Sequence, residues 1–267
     1  MKNDVNYSEG TKIYINEYEI IKDLEKESTE SLEKRGYSQS QINKIKNSRS
    51  DMIKEIKNRA NLNDNQLKSM KYDDNQIKII RNFAGSDAEL TALAAQLTLY
   101  LVLSNYKFNG TETTCDVYTS WVWSTYPITQ FNDGVAIAWS ESFNSYSART
   151  YINLYYTDVQ NGNEREFTSS GFADYSPGGG FYVVFPLTKP EIGIYYKCLR
   201  GSVRTQLYKN GNIPTFEVVS KYVHSQLYAY PSITFPGGAS INVGLGSNQM
   251  GLKKSEVRNG VIYNNAI

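Results

Sequence analysis

Histidine and cysteine are nearly missing from this chain of 267 residues, which has one of the former, His224, and two of the latter, Cys115 and Cys198. Two cysteines cannot build a disulfide scaffold, and no Cys-x-x-Cys or mixed Cys/His cluster is written. A single histidine removes the commoner zinc sites, which need several such ligands, so no metal or cofactor site is expected. No run of about 18 apolar residues occurs, so no transmembrane helix is expected. The opening Met1-Lys-Asn-Asp-Val-Asn-Tyr has no apolar core of a signal peptide as written. An excess of either charge is lacking too. The chain carries 28 basic and 27 acidic residues, and from residue 86 onward the balance is 12 against 13, which argues against a nucleic-acid partner. Ser176-Pro-Gly-Gly-Gly lacks the Lys-Ser/Thr of a phosphate loop and precedes a strand-like run, so it reads as a hairpin turn.

What is present divides near Gly85. Residues 1–85 hold 16 Lys+Arg and 14 Asp+Glu but only 5 of the 22 tyrosines; the remainder holds 12, 13 and 17. The aromatic part is organised around Thr113–Asp158, which contains Trp121, Trp123 and Trp139. In Val117–Trp123 an apolar face recurs at 117, 121 and 123. In Asp133–Trp139 one face carries Val135, Ile137 and Trp139, while the other carries only Gly134, Ala136 and Ala138, bare enough for another layer to approach closely. Such alternation specifies strands. Further strands are expected at Leu97–Leu103, Thr114–Ser124, Val135–Ser140, Ala148–Thr157, Phe181–Leu187, Ile192–Leu199, Val203–Tyr208, Thr215–Val223, Gln226–Phe235 and Ile241–Leu245. Between them stand turn signals such as Asn109-Gly, Asn132-Asp-Gly, Asn161-Gly-Asn and Lys209-Asn-Gly. Many short strands without intervening helices point to antiparallel pairing, in a β-sandwich or an open barrel.

The charged part carries a repeat. Residues 32–47 read LEKRGYSQSQINKIKN and residues 67–82 read LKSMKYDDNQIKIIRN. With an offset of 35, Leu32, Tyr37, Gln41, Ile42, Ile45 and Asn47 recur as Leu67, Tyr72, Gln76, Ile77, Ile80 and Asn82. Each unit reads as a short helix, a break and a capped second helix. Thr29 and Asp64 are expected to cap the first helices, and Ser38 and Asp73 the second. Gly36 suits a left-handed position after the first helix; Lys71, its counterpart, suits it less well. Met52, Ile53 and Ile56 are spaced for a further helix between the units, and Ala88–Leu97 for a last one capped by Ser86 or Asp87 after a hinge at Ala84–Asp87. The fold class expected is therefore α+β. A helical region over 1–85, with helix-turn-helix repeats at 29–47 and 64–82, precedes an antiparallel β domain over 86–267.

The doubled pattern L-x-x-x-G-Y-S-x-x-Q-I-x-x-I-K-N resembles that of a loose group of uncharacterised proteins exported by Gram-positive bacteria, in which it precedes an aromatic all-β region. The likeness extends to the block around Trp121–Trp139 and to Ser232-Ile-Thr-Phe-Pro-Gly-Gly-Ala-Ser-Ile. The resemblance implies an address outside the cell or on its surface, with a signal peptide already removed, rather than a reaction. The repeat is also similar to three-helix protein-binding modules of the ubiquitin-associated kind, though packing helices alone would explain it equally.

Little catalytic chemistry is written. Cys115 is in phase with Val117 and Trp121, and Cys198 with Ile194 and Tyr196. The pair either closes a cross-sheet disulfide, worth roughly 4 kcal/mol for a loop of about 80 residues, or stays as two buried thiols. A nucleophile–base pairing of His224 with either cysteine needs a meeting in space that the sequence does not indicate. Asp116, Asp133, Glu141, Asp158, Glu164, Glu166, Asp174, Glu191 and Glu217 offer carboxylates to a hydrolase, but no spacing singles out a pair. The surplus of tyrosine remains. Tyr155, Tyr195, Tyr228 and Tyr230 are expected on the strand faces turned away from the core, where a phenol suits sugar stacking or protein contact. The leading expectation is a non-catalytic exported protein that binds a protein or a cell-envelope component. The first alternative is a secreted bacteriocin-like toxin that damages membranes, resting on the alternating run Ser140–Thr157; the second is a carboxylate-dependent hydrolase.

Overall fold

The structure, a computed structural model, describes residues 11–34, 37–129, 132–169, 174–176, 178–191, 194–224, 233–234, 240–241 and 252–264. A strand β1 (Thr11–Asn16) leads into six helices: α1 (Glu17–Lys26), α2 (Thr29–Lys34), α3 (Gln39–Arg59), α4 (Asp64–Ser69), α5 (Asp74–Arg81) and α6 (Asp87–Leu93). All further strands follow: β2 (Gln96–Phe108), β3 (Glu112–Trp123), β4 (Asn132–Trp139), β5 (Asn144–Ser145), β6 (Tyr151–Asp158), β7 (Glu164–Ser169), β8 (Asp174–Ser176) and β9 (Gly180–Pro186). After these come β10 (Thr188–Glu191), β11 (Ile194–Asn210), β12 (Phe216–His224), β13 (Ile233–Thr234), β14 (Ser240–Ile241), β15 (Leu252–Arg258) and β16 (Val261–Tyr263). This is an α+β fold. Only β1 departs from the expectation that strands follow the helices, and it pairs antiparallel with β2 at the edge of the large sheet.

The repeat of 35 residues is carried down to individual hydrogen bonds. Ser38 and Asp73 each close a capping box, with Gln41 and Gln76, as the sequence predicts. The first helices are capped one residue earlier than expected, at Ser28 and Asn63 rather than Thr29 and Asp64. Either neighbour offers an oxygen, and the residue that stays extended takes the role. Tyr37 N–H donates to the Leu32 carbonyl as Tyr72 N–H donates to that of Leu67. Lys71, with φ +67°, ends the first helix of the second unit in the left-handed position that glycine usually fills. Lys46 reaches the carbonyls of Glu25 and Glu27, and its counterpart Arg81 reaches those of Ala60 and Leu62. Each unit thus ties off the frayed end of the helix before it, where cations are favoured.

The helix expected between the units does not stand alone. It is the second half of α3, because Asn47–Asp51 contains no breaker. After α5 the corresponding stretch does break, at Gly85 (φ +93°), and Ser86 restarts the chain with its own capping box.

The strands form two principal sheets. One runs β1-β2-β3-β11-β6-β7, with β10 and β5 also on β11; the other runs β16-β15-β12-β4-β9-β8. Every pairing is antiparallel. The sheets face each other through aromatic side chains: Trp121 stacks on Phe185 at 5.1 Å between centroids, and Trp123 meets Tyr222 edge-on at 5.8 Å. Helices and sandwich share one continuous apolar core, from Ile21, Ile45 and Ile80 through Leu99 and Trp121 to Val218. On β4, Val135, Ile137 and Trp139 enter that core, and Ala136 and Ala138 pack with Val219 on the small-residue face.

Two expected strands, Ile192–Leu199 and Val203–Tyr208, are one. β11 runs unbroken through Gly201 and serves β3 along one edge and β6 along the other, with a bulge between Cys198 and Arg200. Gly201 is there for close approach rather than for a turn: a Cβ on it would lie 2.3 Å from Cζ2 of Trp121 and 2.9 Å from the Asn153 carbonyl oxygen. The run Ser140–Thr157 is likewise not one alternating strand. It is divided into β5, a 3-10 turn at Ser147–Arg149 and β6. Most of Gln226–Phe235 and Ile241–Leu245 lies outside the described residues.

Gly201→Ala is therefore expected to displace the Trp121 ring and lower stability by about 1–3 kcal/mol or more. Urea unfolding followed by tryptophan fluorescence measures it, and an unchanged midpoint would refute the close-approach role.

Candidate functional site

Sequence reasoning left His224 without a partner; the structure gives it several. β12 carries it to the end of the sandwich, where Nδ1 lies 2.6 Å from Asp133 Oδ1 and Nε2 lies 2.5 Å from Thr129 Oγ1. The Glu17 carboxylate, from the first turn of α1, stands 3.6 Å from Nε2 and accepts the N–H groups of Ile128 (2.9 Å) and Thr129 (2.8 Å). Tyr222 donates to the other oxygen of Asp133, and Trp123 Nε1 donates to Tyr222 Oη at 3.0 Å. An acid, an imidazole and a hydroxyl in line have the order of a nucleophilic triad. Here they do different work. All are buried, and Thr129 also donates to Glu17. Burial by itself would push the ring's pKa down, but the charge and hydrogen bond of Asp133, followed by those of Glu17, outweigh it and hold His224 at about 10. At neutral pH the ring is an imidazolium between two carboxylates and cannot act as a base.

The cysteines do not meet. Both are free and buried. They lie on neighbouring strands of one sheet rather than across the sandwich: Cys115 is opposite Leu207 on β11, nine residues along from Cys198. At about 3.3 Å per residue that is roughly 30 Å, far beyond disulfide reach. Burial raises both thiols, Cys115 to about 12. Of the remaining carboxylates, Asp116 binds Arg204 and Gln206, Glu164 binds Arg200, Glu166 accepts from Tyr155, and Glu217 binds Lys254. No group of three or more His, Cys, Asp or Glu side chains suited to a metal ion occurs among the described residues.

The outward face of the large sheet carries the candidate site. Cross-strand partners share a face, so the register Tyr100–Ser120–Ser202 and Thr98–Val122–Arg200–Tyr155 places these side chains together, opposite to the inward Val117, Thr119, Trp121 and Trp123. All of them but Thr98 line, with Tyr118, a recess of about 170 Å³ that brings Tyr100, Tyr118 and Tyr155 together with Ser120 and Ser202. Tyr155 donates to Glu166 Oε1 at 3.1 Å. The Arg200 guanidinium lies 4.0 Å over its ring and grips Glu164 through Nε (2.9 Å) and Nη2 (2.5 Å). Arg204 pairs with Asp116 at 3.2 Å. Arg200 and Arg204 are thus matched by carboxylates, and beside them the recess presents phenol rings, serine hydroxyls and the side chain of Val122.

Of the four tyrosines expected on a binding surface, Tyr155 is found at this recess. Tyr228, Tyr230 and the side chain of Tyr195 lie outside the described residues. Tyr100 and Tyr118 were missed. Each sits at the out-of-phase position of a strand recognised for its apolar face, and only the pairing of four strands brings them to Tyr155.

Compared with protein-family models and with curated proteins, the chain matches none. Among solved structures it is similar to a collagen-binding domain from a Staphylococcus aureus adhesin, at 10% identity and TM-score 0.30, over 60% of this chain and 97% of that one. A second likeness is to AvmM, which catalyses macrocyclization in alchivemycin A biosynthesis, at 14% identity and TM-score 0.22, over 60% and 89% of the two chains. Similarity at this level bears on neither ligand nor reaction.

A folded pKa of His224 above the unfolded value of about 6.5 means that its contribution to stability is complete below pH 6.5 and is lost as pH rises through about 10. His224→Gln leaves two buried carboxylates without their cation and is expected to cost about 3–5 kcal/mol at pH 6. Urea unfolding of both proteins is expected to show that difference narrowing between about pH 7 and pH 10. A difference independent of pH would show that the ring is neutral in the folded protein.

Proposed function

We propose that the protein is a non-catalytic, exported binding protein that takes a neutral, hydroxyl-rich unit of a cell-envelope polymer, such as a sugar ring, into the recess on the outward face of the large sheet. One observation carries this reading: three phenol rings surround two serine hydroxyls on a face whose arginines are already matched by carboxylates. Aromatic faces stack on the C–H surface of a sugar, and phenol and serine hydroxyls exchange hydrogen bonds with its hydroxyls. A charged ligand would have to displace Glu164 or Asp116. The extracellular address rests on the resemblance of the helical repeats to those of exported Gram-positive proteins. No described helix is long and apolar enough to cross a membrane. The buried imidazolium offers a hydrolase neither a base nor an accessible nucleophile, so binding is the reading preferred.

The test is retention of the full chain on purified peptidoglycan and wall polysaccharide. Tyr118→Ala and Tyr155→Ala are each expected to weaken retention about tenfold, about 1.4 kcal/mol for one aromatic contact. Tyr263→Ala, on the other sheet, is expected to leave it unchanged. No retention of the wild type, or equal retention by all four proteins, would overturn the proposal.

A further inference from the structure

Where the helices meet the large sheet there is a second cavity, of about 270 Å³, bounded by Glu55, Asn58 and Met70 from the helical side and by Val159, Gln160 and Lys197 from the strand side. The bulge after Cys198 turns Lys197 to the same face of β11 as Arg200, since Tyr156 is opposite Cys198 and Tyr155 opposite Arg200. At this end of the strand the helices cover that face, and Lys197 is buried. Its Nζ donates to Thr188 Oγ1 at 3.1 Å and lies 4.1 Å from the centre of the Tyr126 ring. A lysine seldom occupies such a place unless its stem packs and its amine is held.

We propose that this cavity is a binding site for a small aldehyde with a hydrocarbon body, which the Lys197 amine captures as an imine. Met70 and Val159 supply an apolar wall for the body. Asn58 and Gln160 supply amides, and Glu55, ion-paired with Arg59 at 3.0 Å, supplies a carboxylate at the rim. Burial, reinforced by the Arg59 charge and opposed by Glu55, pushes the amine's pKa down to about 7. About half of it is then the free base at neutral pH, against less than about one part in a thousand for a surface lysine. The nitrogen lone pair adds to the carbonyl carbon and one N–H proton passes to the carbonyl oxygen, giving a carbinolamine. The second N–H proton joins its hydroxyl, which leaves as water, and a C=N bond replaces C=O without change of oxidation state. This site is separate from the tyrosine recess, and its test does not depend on that reading.

The full chain at pH 7 is treated with benzaldehyde and sodium cyanoborohydride, which reduces the imine to a stable benzylamine, and the modified lysines are mapped by mass spectrometry over time. Lys197 is expected to be labelled at least about tenfold faster than the exposed Lys26 and Lys68 at pH 7, with the advantage narrowing as pH rises toward about 10, where an ordinary lysine also becomes the free base. Asn58→Trp, which fills the cavity without changing the amine, is expected to bring Lys197 down to their rate. Labelling that follows exposure, so that Lys197 lags Lys26, would overturn the proposal. So would labelling of Lys197 that Asn58→Trp leaves unaltered.

Discussion

Arg59 is 1% exposed and carries a charge it cannot shed. A guanidinium in that position is tolerated only if every N–H finds an acceptor, and here each does. Nε donates to Glu55, Nη1 to the Tyr72 hydroxyl (2.5 Å) and the Tyr126 carbonyl (2.9 Å), and Nη2 to the carbonyls of Pro127 (2.7 Å) and Ile128 (3.4 Å). The three carbonyls belong to the loop that carries the chain from β3 in one sheet to β4 in the other. Glu17 takes the N–H groups of Ile128 and Thr129 in the same loop. One short segment is thus held by a cation of α3 through its carbonyls and by an anion of α1 through its amides. The Glu17 anion is balanced in turn by the His224 imidazolium at the end of β12, which it shares with Asp133 at the start of β4. The rest of the molecule depends on this grip: it fixes the helices to the end of the sandwich and sets the loop that joins the two sheets.

The consequence for the surface is a division of one sheet face. Helices cover it near Lys197 and leave it open near Tyr155. A single bulge in β11 keeps Lys197 and Arg200, the cross-strand partner of Tyr155, on that face although they belong to strand segments that differ in phase. The open part is floored by paired strands rather than by loops, so the positions of Tyr100, Tyr118 and Tyr155 are set by the ladder. A recess on such a floor can select a ligand without first ordering itself, which lowers the cost of binding.

Much of this architecture was legible in the sequence because it is local. The change of apolar period from three or four in Ile42/Ile45 to two in Val135/Ile137/Trp139 separates helices from strands, and Ser38 with Gln41 or Asp73 with Gln76 announces a capped start. Where local signals compete, the reading slipped: Ser28 displaced Thr29 as cap, and two helices fused into α3 because nothing in Asn47–Asp51 stops one. Two strands were expected on either side of Arg200–Ser202 where there is one, because the missing side chain of Gly201 makes room for a ring on the neighbouring strand and does not mark a turn. The site was hardly legible, because its parts come from segments far apart. Tyr155 was found through its phase, but its neighbours on β2, β3 and β11 follow from register. Glu17, Arg59 and His224 looked like ordinary members of a charged helix, an amphipathic helix and a strand end. The two cysteines shared the right phase and were still about 30 Å apart, since phase fixes the face of a strand and not the position along it.

If the grip on the Tyr126–Thr129 loop joins helices and sandwich into one cooperative unit, amides on both sides of it must open together. Native-state hydrogen exchange over a denaturant series measures this directly through the amides of Ile128 and Thr129, those of α5 such as Ile80, and those of β12 such as Val218. The account predicts that all three sets converge on the same opening free energy, that of global unfolding. Exchange of the α5 amides through a separate, lower-energy opening, with Ile128, Thr129 and β12 still protected, would contradict it.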